Sequence, residues 1–195
     1  MRSQRILTLV EIALTVALSA VLALLAVRLP INFAGGTISF AMLPILVLAL
    51  RRGVGPGIVA GVAFGLVDYY LEPFFVAYAQ VALDYFVAFG AVGLAGLGSG
   101  LYRRTALVST WRAAVVSIPF IILGGIGRFA AAWLSGVVFF GQNAPAGQPV
   151  WLYSIVYNLG YIVPSIGLCI LGAVLVLPSL EPAVPASRQT PAQAS

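Results

Sequence analysis

Gln80, Asp84 and Tyr85 stand inside an apolar run, Ala79–Leu97 (AQVALDYFVAFGAVGLAGL), long enough to cross a bilayer. A carboxylate in hydrocarbon costs roughly 2.5–3.5 kcal/mol on insertion scales. Asp84 is therefore expected to face a cavity or a partner. Gln80 lies one helical turn before it, so on a helix the amide and the carboxylate share a face. A basic residue, Arg128, is set well within a later apolar run. Tyr153, Tyr157 and Tyr161 recur at helical spacing in the last one, with Asn158 beside that stripe. An acid, a cation, amides and aromatic faces in one bundle are what a small polar or cationic solute needs. A plainer reading stands beside this one. Asp84 and Arg128 can neutralise each other as an internal ion pair, and tyrosines favour membrane interfaces.

Other chemistry is excluded by residue type. The chain has no His, and every one of its 10 basic residues is Arg. Without Lys there is no GxxxxGK(S/T) phosphate loop. Without His there is no His-based metal site and no Ser-His or Cys-His nucleophile. The single Cys169 lies in an apolar run and reads as a small buried hydrophobe. No metal and no cofactor is expected. Apart from Arg128 the arginines sit at span ends and not on one stripe, so nucleic acid is not an expected partner.

These residues must be positioned by membrane helices. The chain of 195 residues is 62% hydrophobic and 8% charged, which excludes an ordinary soluble domain. The expected fold is an all-α integral membrane protein with six transmembrane helices. Residues 1–5 form a short basic start, and the apolar run after them is too long for a cleavable signal and lacks a small-residue cleavage site before polar sequence. Residues 6–177 form the membrane domain. Residues 178–195, rich in Pro, Ala, Ser and Gln, form a disordered tail.

The expected spans are about Ile6–Val27, Ile38–Leu50, Gly53–Leu71, Phe74–Leu101, Ala113–Phe139 and Val150–Leu177. The first carries Ala13 and Ala17, a spacing that lets a second helix approach closely. Its Glu11 sits near the basic end, where it can snorkel. The second is short for a span and contains Pro44. The third carries Gly53, Gly57, Gly61 and Gly65, a ladder that marks a tightly packed face. Arg28–Thr37 is a loop by its Pro and paired Gly. Six spans put both termini on one side with Arg2, Arg5, Arg51, Arg52, Arg103, Arg104, Arg112 and Arg188, leaving Arg28 opposite. The positive-inside rule then makes both termini cytoplasmic. By helix rise, Asp84 and Arg128 each lie roughly 15 Å below the outer surface. Asp68, Tyr153 and Asn158 lie nearer to it, so a pocket open to the outside is expected.

Four stretches resemble one known family. They are MLPILVLALRRGVGPGIVAGVAFGLV (Met42–Val67), QVALDYFVAFGAVGLAGL (Gln80–Leu97), WLSGVVFFGQ (Trp133–Gln142) and LYSIVYN (Leu152–Asn158). The chain is similar to the thiamine-specific S component, ThiT type, of energy-coupling factor (ECF) transporters, over about residues 5–177. The resemblance implies a six-helix subunit of a prokaryotic plasma membrane that captures thiamine or a related small molecule from outside. It also implies association with an ECF transmembrane coupling subunit and two ATPase subunits. The family's acid-Tyr pair falls on Asp84 and Tyr85, with Asp where Glu is usual. Its sixth-helix Tyr and Asn fall on Tyr153 and Asn158. Its aromatic stacking position, usually Trp, falls on Phe140, and a basic fifth-helix residue on Arg128. The family's fifth-helix His falls on Ala132. Ala13 and Ala17 match the small-residue surface that meets the coupling subunit.

Thiamine suits these residues chemically. Asp84 supplies a counter-charge to its thiazolium, and aromatic faces at Phe140, Tyr85 and Tyr153 hold a quaternary nitrogen by cation–π contact. Asn158 can donate to and accept from an aminopyrimidine edge. The substrate-binding set expected from the residues and the resemblance together is Asp84, Tyr85, Gln80, Arg128, Phe140, Tyr153, Tyr157 and Asn158. Two other functions compete: a stand-alone carrier for a small cationic or pyrimidine-type solute, and a membrane scaffold without ligand. An enzyme is disfavoured for want of a nucleophile pair or metal cluster.

Overall fold

The computed structural model describes residues 2–28 and 36–180. Residues 29–35 of the expected first loop and residues 181–195 of the expected tail, Arg188 included, lie outside the described residues. The described chain is helical apart from its connections and a two-stranded antiparallel ribbon. Helix α1 spans Arg2–Leu24. Strands β1 (Val27–Arg28) and β2 (Thr37–Ile38) pair Val27 with Ile38 and Arg28 with Thr37. Helices α2 (Met42–Arg52) and α3 (Val54–Leu71) follow. The remaining three are α4 (Tyr78–Ala106), α5 (Thr110–Phe139) and α6 (Val150–Leu180). All but α2 are long and apolar enough to cross a membrane, 5 in number. The protein is an all-α membrane protein.

Several expected boundaries move, each for a local reason. Residues 2–5 belong to α1 and are not a separate start, and Val27 leaves the helix for the ribbon. Helix α6 runs through Pro178 to Leu180, so residues 178–180 are helix and not tail. A proline there forfeits one backbone bond without forcing the chain out of the helix. Pro119 does not kink a continuous helix. The α5 chain breaks at Ser117 and restarts at Ile118, with Pro119 in the first helical turn, where its missing N–H is least costly.

Helix α2 has only 11 residues, roughly 16 Å at the usual rise. That is about half of a hydrocarbon core. It is also the most enclosed element, with Met42, Ile45, Leu46, Ala49 and Leu50 nearly inaccessible. Phe64, Val92, Tyr102, Ile121, Cys169 and Leu177 pack with it into one core. Its C-terminal end carries Arg51 and Arg52, which suit the negative end of the helix dipole. Arg52 makes a two-pronged bond to Glu11 of α1, at 2.5 and 2.6 Å. Glu11 thus reaches a protein partner. The turn from α2 into α3 is a single residue, Gly53, at φ 96°, a conformation an L side chain resists.

The α3 ladder packs against backbone. A Cβ on Gly61 would strike the carbonyl of Phe89, and one on Gly65 the carbonyl of Tyr85. Gly93 and Gly96 of α4 return the contact onto Ile58 and Val54. The α4 helix distorts along this seam. It is wound as a π-helix over Ala82–Val87 and as a 3-10 helix over Gly93–Gly98. Pi-type turns often occur at functional sites, and this one holds Asp84 and Tyr85.

Gly61→Val is expected to lower the thermal midpoint in detergent, by the equivalent of about 1–3 kcal/mol for an overpacked seam. Gly167→Ala, where an added Cβ meets nothing within 4 Å, is expected to leave it unchanged or raise it. Differential scanning fluorimetry on both variants checks the pair.

Candidate functional site

Beyond the N-terminal end of α2, the bundle opens into a cavity of about 630 Å³. Its walls come from the ends of α1 and α3, the first half of α4, the last part of α5 and the beginning of α6. These are the helix ends farthest from the arginine-bearing turns at Arg51–Arg52 and Arg103–Arg104. The chain before α2 forms part of the lining at Gly36, Thr37, Ser39 and Ala41. Its backbone is not left unpaired. The Gly36 N–H donates to the Tyr157 hydroxyl at 2.8 Å, and the Ser39 N–H to Ser165 Oγ at 3.3 Å. Irregular backbone inside a membrane protein requires such partners.

Gln80, Asp84, Tyr85, Arg128, Phe140, Tyr153, Tyr157 and Asn158 all line this one cavity. Gln80 is almost wholly buried, at 1% exposure. Its Nε2 donates to Asp84 Oδ2 at 2.7 Å, while its Oε1 accepts from the Val76 N–H at 3.1 Å. One amide thus holds the carboxylate and also pins the α3–α4 connection. Tyr85 donates to the Glu72 carbonyl at 2.9 Å and meets Tyr69 edge-on. That is a second tether on the same connection.

Arg128 does not close an ion pair with Asp84 among the described residues. Its guanidinium carbon sits 4.3 Å from the centre of the Phe89 ring. A delocalised guanidinium suits an aromatic face. The simple internal pair is thus not the arrangement found.

On the far wall Tyr153 and Tyr157 stack at 6.2 Å, and Tyr157 meets Tyr161 edge-on at 5.8 Å. Asn158, only 2% exposed, is bonded within the protein. Its Nδ2 donates to the Ser154 carbonyl at 2.8 Å, and its Oδ1 accepts from the Tyr161 hydroxyl at 2.7 Å. The expectation that Asn158 offers both donors and an acceptor to a ligand is corrected here, because its N–H groups are turned towards protein oxygens.

The cavity also contains residues outside the expected substrate-binding set. Asp68, expected near the outer end of its span, and Glu72 add acids at the end of α3, and Tyr161 of the tyrosine stripe and Ser154 extend the α6 wall. Phe74 stacks on Phe140 at 5.8 Å. The Tyr161 signal was available in its spacing from Tyr157. Phe74 lies in a connection, where no periodicity points to a wall. Ala13 and Ala17 lie elsewhere, on the exposed face of α1 beside the exposed Leu14 and Leu18. The inward face carries Glu11, Thr15 and Ser19 instead.

A multi-pass helical bundle with a ligand-sized polar and aromatic cavity at one end defines a class, the small-solute membrane carriers. Known proteins make this narrower. The chain matches the thiamine transporter protein family (Thia_YuaJ) over residues 9–184. It is 36% identical over 170 residues to the thiamine transporter ThiT of Bacillus subtilis (strain 168), covering 86% of this chain and 88% of that one. With ThiT of Lacticaseibacillus paracasei it shares 34% identity over 128 residues, covering 63% and 64% of the two chains. The solved structure of ThiT from Listeria monocytogenes superposes with a TM-score of 0.82 at 25% identity, covering 91% of this chain and 96% of that one. The chain belongs to the thiamine transporter protein family. That is a family of carriers and not of enzymes, and the chain is a multi-pass protein of the cell membrane.

Gln80→Leu is expected to lower stability by about 1–3 kcal/mol, because it strands a buried carboxylate oxygen and the Val76 N–H together. A drop in thermal midpoint without added solute would be the direct measure. No drop would mean that neither bond contributes to the folded state.

Proposed function

We propose that this chain is the substrate-binding S subunit of an ATP-driven ECF-type importer, and that it captures thiamine from outside the cell. The observation that carries the reading is the convergence of Asp84, Arg128, Phe140 and Tyr153 from separate elements on one cavity. As a carboxylate, Asp84 provides the counter-charge for a thiazolium, and the protein's low dielectric strengthens that attraction. Aromatic faces add about 0.5–2 kcal/mol each by cation–π contact. Asp68 and Glu72 make the cavity more anionic than Asp84 alone would. Another small cationic or pyrimidine-type solute would use the same features. Ala132 supports keeping that alternative, since it contributes no polar side chain to the lining.

Isothermal titration of the purified protein with thiamine tests the site. Asp84→Asn is expected to weaken binding by about tenfold to a hundredfold, the worth of a hydrogen bond to a charged group. A neutral aminopyrimidine fragment is expected to lose less. Equal losses for both ligands would make Asp84 structural and end the cation-binding reading.

Transport needs topology and a partner. We infer six membrane crossings, with α2 and the chain leading into it making the second. Both termini are then cytoplasmic, the arginine-bearing end faces the cytoplasm, and the cavity faces outwards. Cysteine labelling of the Gly141–Pro149 loop is expected from the outside only. Ala13 and Ala17 then present a small-residue face on α1 to a coupling subunit that works with two ATPases. Ala13→Trp is expected to abolish uptake in cells while changing thiamine affinity by less than about twofold, since its side chain points away from the cavity. Uptake that survives the substitution would place coupling elsewhere or leave the chain a stand-alone carrier.

A further inference from the structure

We infer that the cavity wall made by Asn158 and Tyr161 is locked as a hydrogen-bond acceptor, and that Tyr161 is a specificity-determining residue selecting ligand edges with N–H donors over edges with a carbonyl. The inference rests on the solute-binding reading above and specifies its chemistry.

The lock follows from a chain of bonds whose direction cannot reverse. Its far end is the backbone carbonyl of Trp133, which can only accept. Ser154 Oγ lies 2.9 Å from it and must donate its one proton there. Ser154 Oγ can then only accept from Asn158, whose side-chain nitrogen is 3.3 Å away. The same nitrogen faces two further accept-only groups, the carbonyls of Ser154 at 2.8 Å and Ala132 at 3.5 Å. Flipping the amide would set Oδ1 against those oxygens with no proton between them. The amide therefore has one stable orientation, with Oδ1 turned to the Tyr161 hydroxyl at 2.7 Å. An amide oxygen carries no proton, so Tyr161 must donate its own.

The protons of Asn158 and Tyr161 are thus used within the protein, and both residues line the cavity. What they retain for a ligand is lone pairs. Asp84 lines the same cavity and, as a carboxylate, adds acceptors only. An amino group is welcomed between such surfaces, and a carbonyl in its place brings lone pair against lone pair. Sites built around specific hydrogen bonds discriminate far more strongly than sites that sort by size.

Thiamine and its 4-oxo pyrimidine analogue differ along this edge, where the amino donor becomes a carbonyl acceptor and a ring nitrogen of the lactam gains a proton, so they are the probes. Isothermal titration of the wild-type protein is expected to give at least about tenfold preference for thiamine, the effect of one favourable polar contact replaced by an unfavourable one. Tyr161→Phe removes one wall acceptor and is expected to narrow that ratio by about threefold to tenfold, mainly by weakening thiamine. Asn158→Ala frees the Tyr161 proton to turn into the cavity, and the ratio is expected to move further towards the 4-oxo compound. Tyr161→Phe removes a single oxygen and carries the test alone if Asn158→Ala does not fold. Parallel losses for both ligands, with the ratio unchanged, would make these residues structural and overturn the inference. Wild-type protein that binds thiamine without preferring it would overturn the inference and leave the proposed function standing. Wild-type protein that binds neither probe would overturn both.

Discussion

The late start of α2 is the constraint on which the rest of this structure depends. A bilayer interior offers no water to a peptide group, so a membrane-spanning chain is normally helical throughout. Here the second helix has 11 residues and leaves part of the bundle without a central element. The half that α2 occupies is a dense apolar core. The half it vacates is the cavity. The chain leading into α2 meets the backbone requirement through side chains of α6, Tyr157 and Ser165. Site and core are thus two ends of one packing arrangement, divided by helix length.

Charge within the cavity is handled by neutral groups. Asp84 takes its bond from the Gln80 amide, and Arg128 rests on the Phe89 ring. A close ion pair between the two would satisfy both and leave neither with much attraction for a solute. Held by an amide and a ring, each keeps a field directed into the cavity. Gln80, Tyr85 and the Phe74–Phe140 stack also hold the connection between α3 and α4. The groups that shape the solute's surroundings are therefore the same ones that fix the rim.

Membrane class and the main spans were legible in the sequence because hydrocarbon imposes long apolar runs and charge-free interiors. The glycine ladder of α3 was legible as a packed face because only one residue type permits such contact. Polar residues inside apolar runs marked the cavity for the same energetic reason, and Asp84, Arg128 and Asn158 all border it. What could not be read was how each polar group spends its bonds. Asn158 was expected to serve a ligand with both donor and acceptor, but backbone carbonyls of neighbouring turns claim its protons, and no residue pattern encodes them. The π and 3-10 windings of α4, which lie along the seam with α3, are equally invisible to periodicity. Phe74 was missed since a connection has no repeat to count.

The seam between α3 and α4 has a mechanical consequence. Most helix pairs meet through side chains, which can change rotamer and let one helix creep along the other. Here Gly61, Gly65, Gly93 and Gly96 meet backbone, so at those points the contact has no side chain to adjust. Sliding α3 by one residue would drive Val62 or Leu66 into a carbonyl now faced by hydrogen. The next position that fits is a whole glycine interval away. The two helices therefore behave as a keyed joint, with discrete seats and nothing between them. Asp84 and Tyr85 ride on that joint, and their position is set as a datum is set in a machine, by a stop that does not yield.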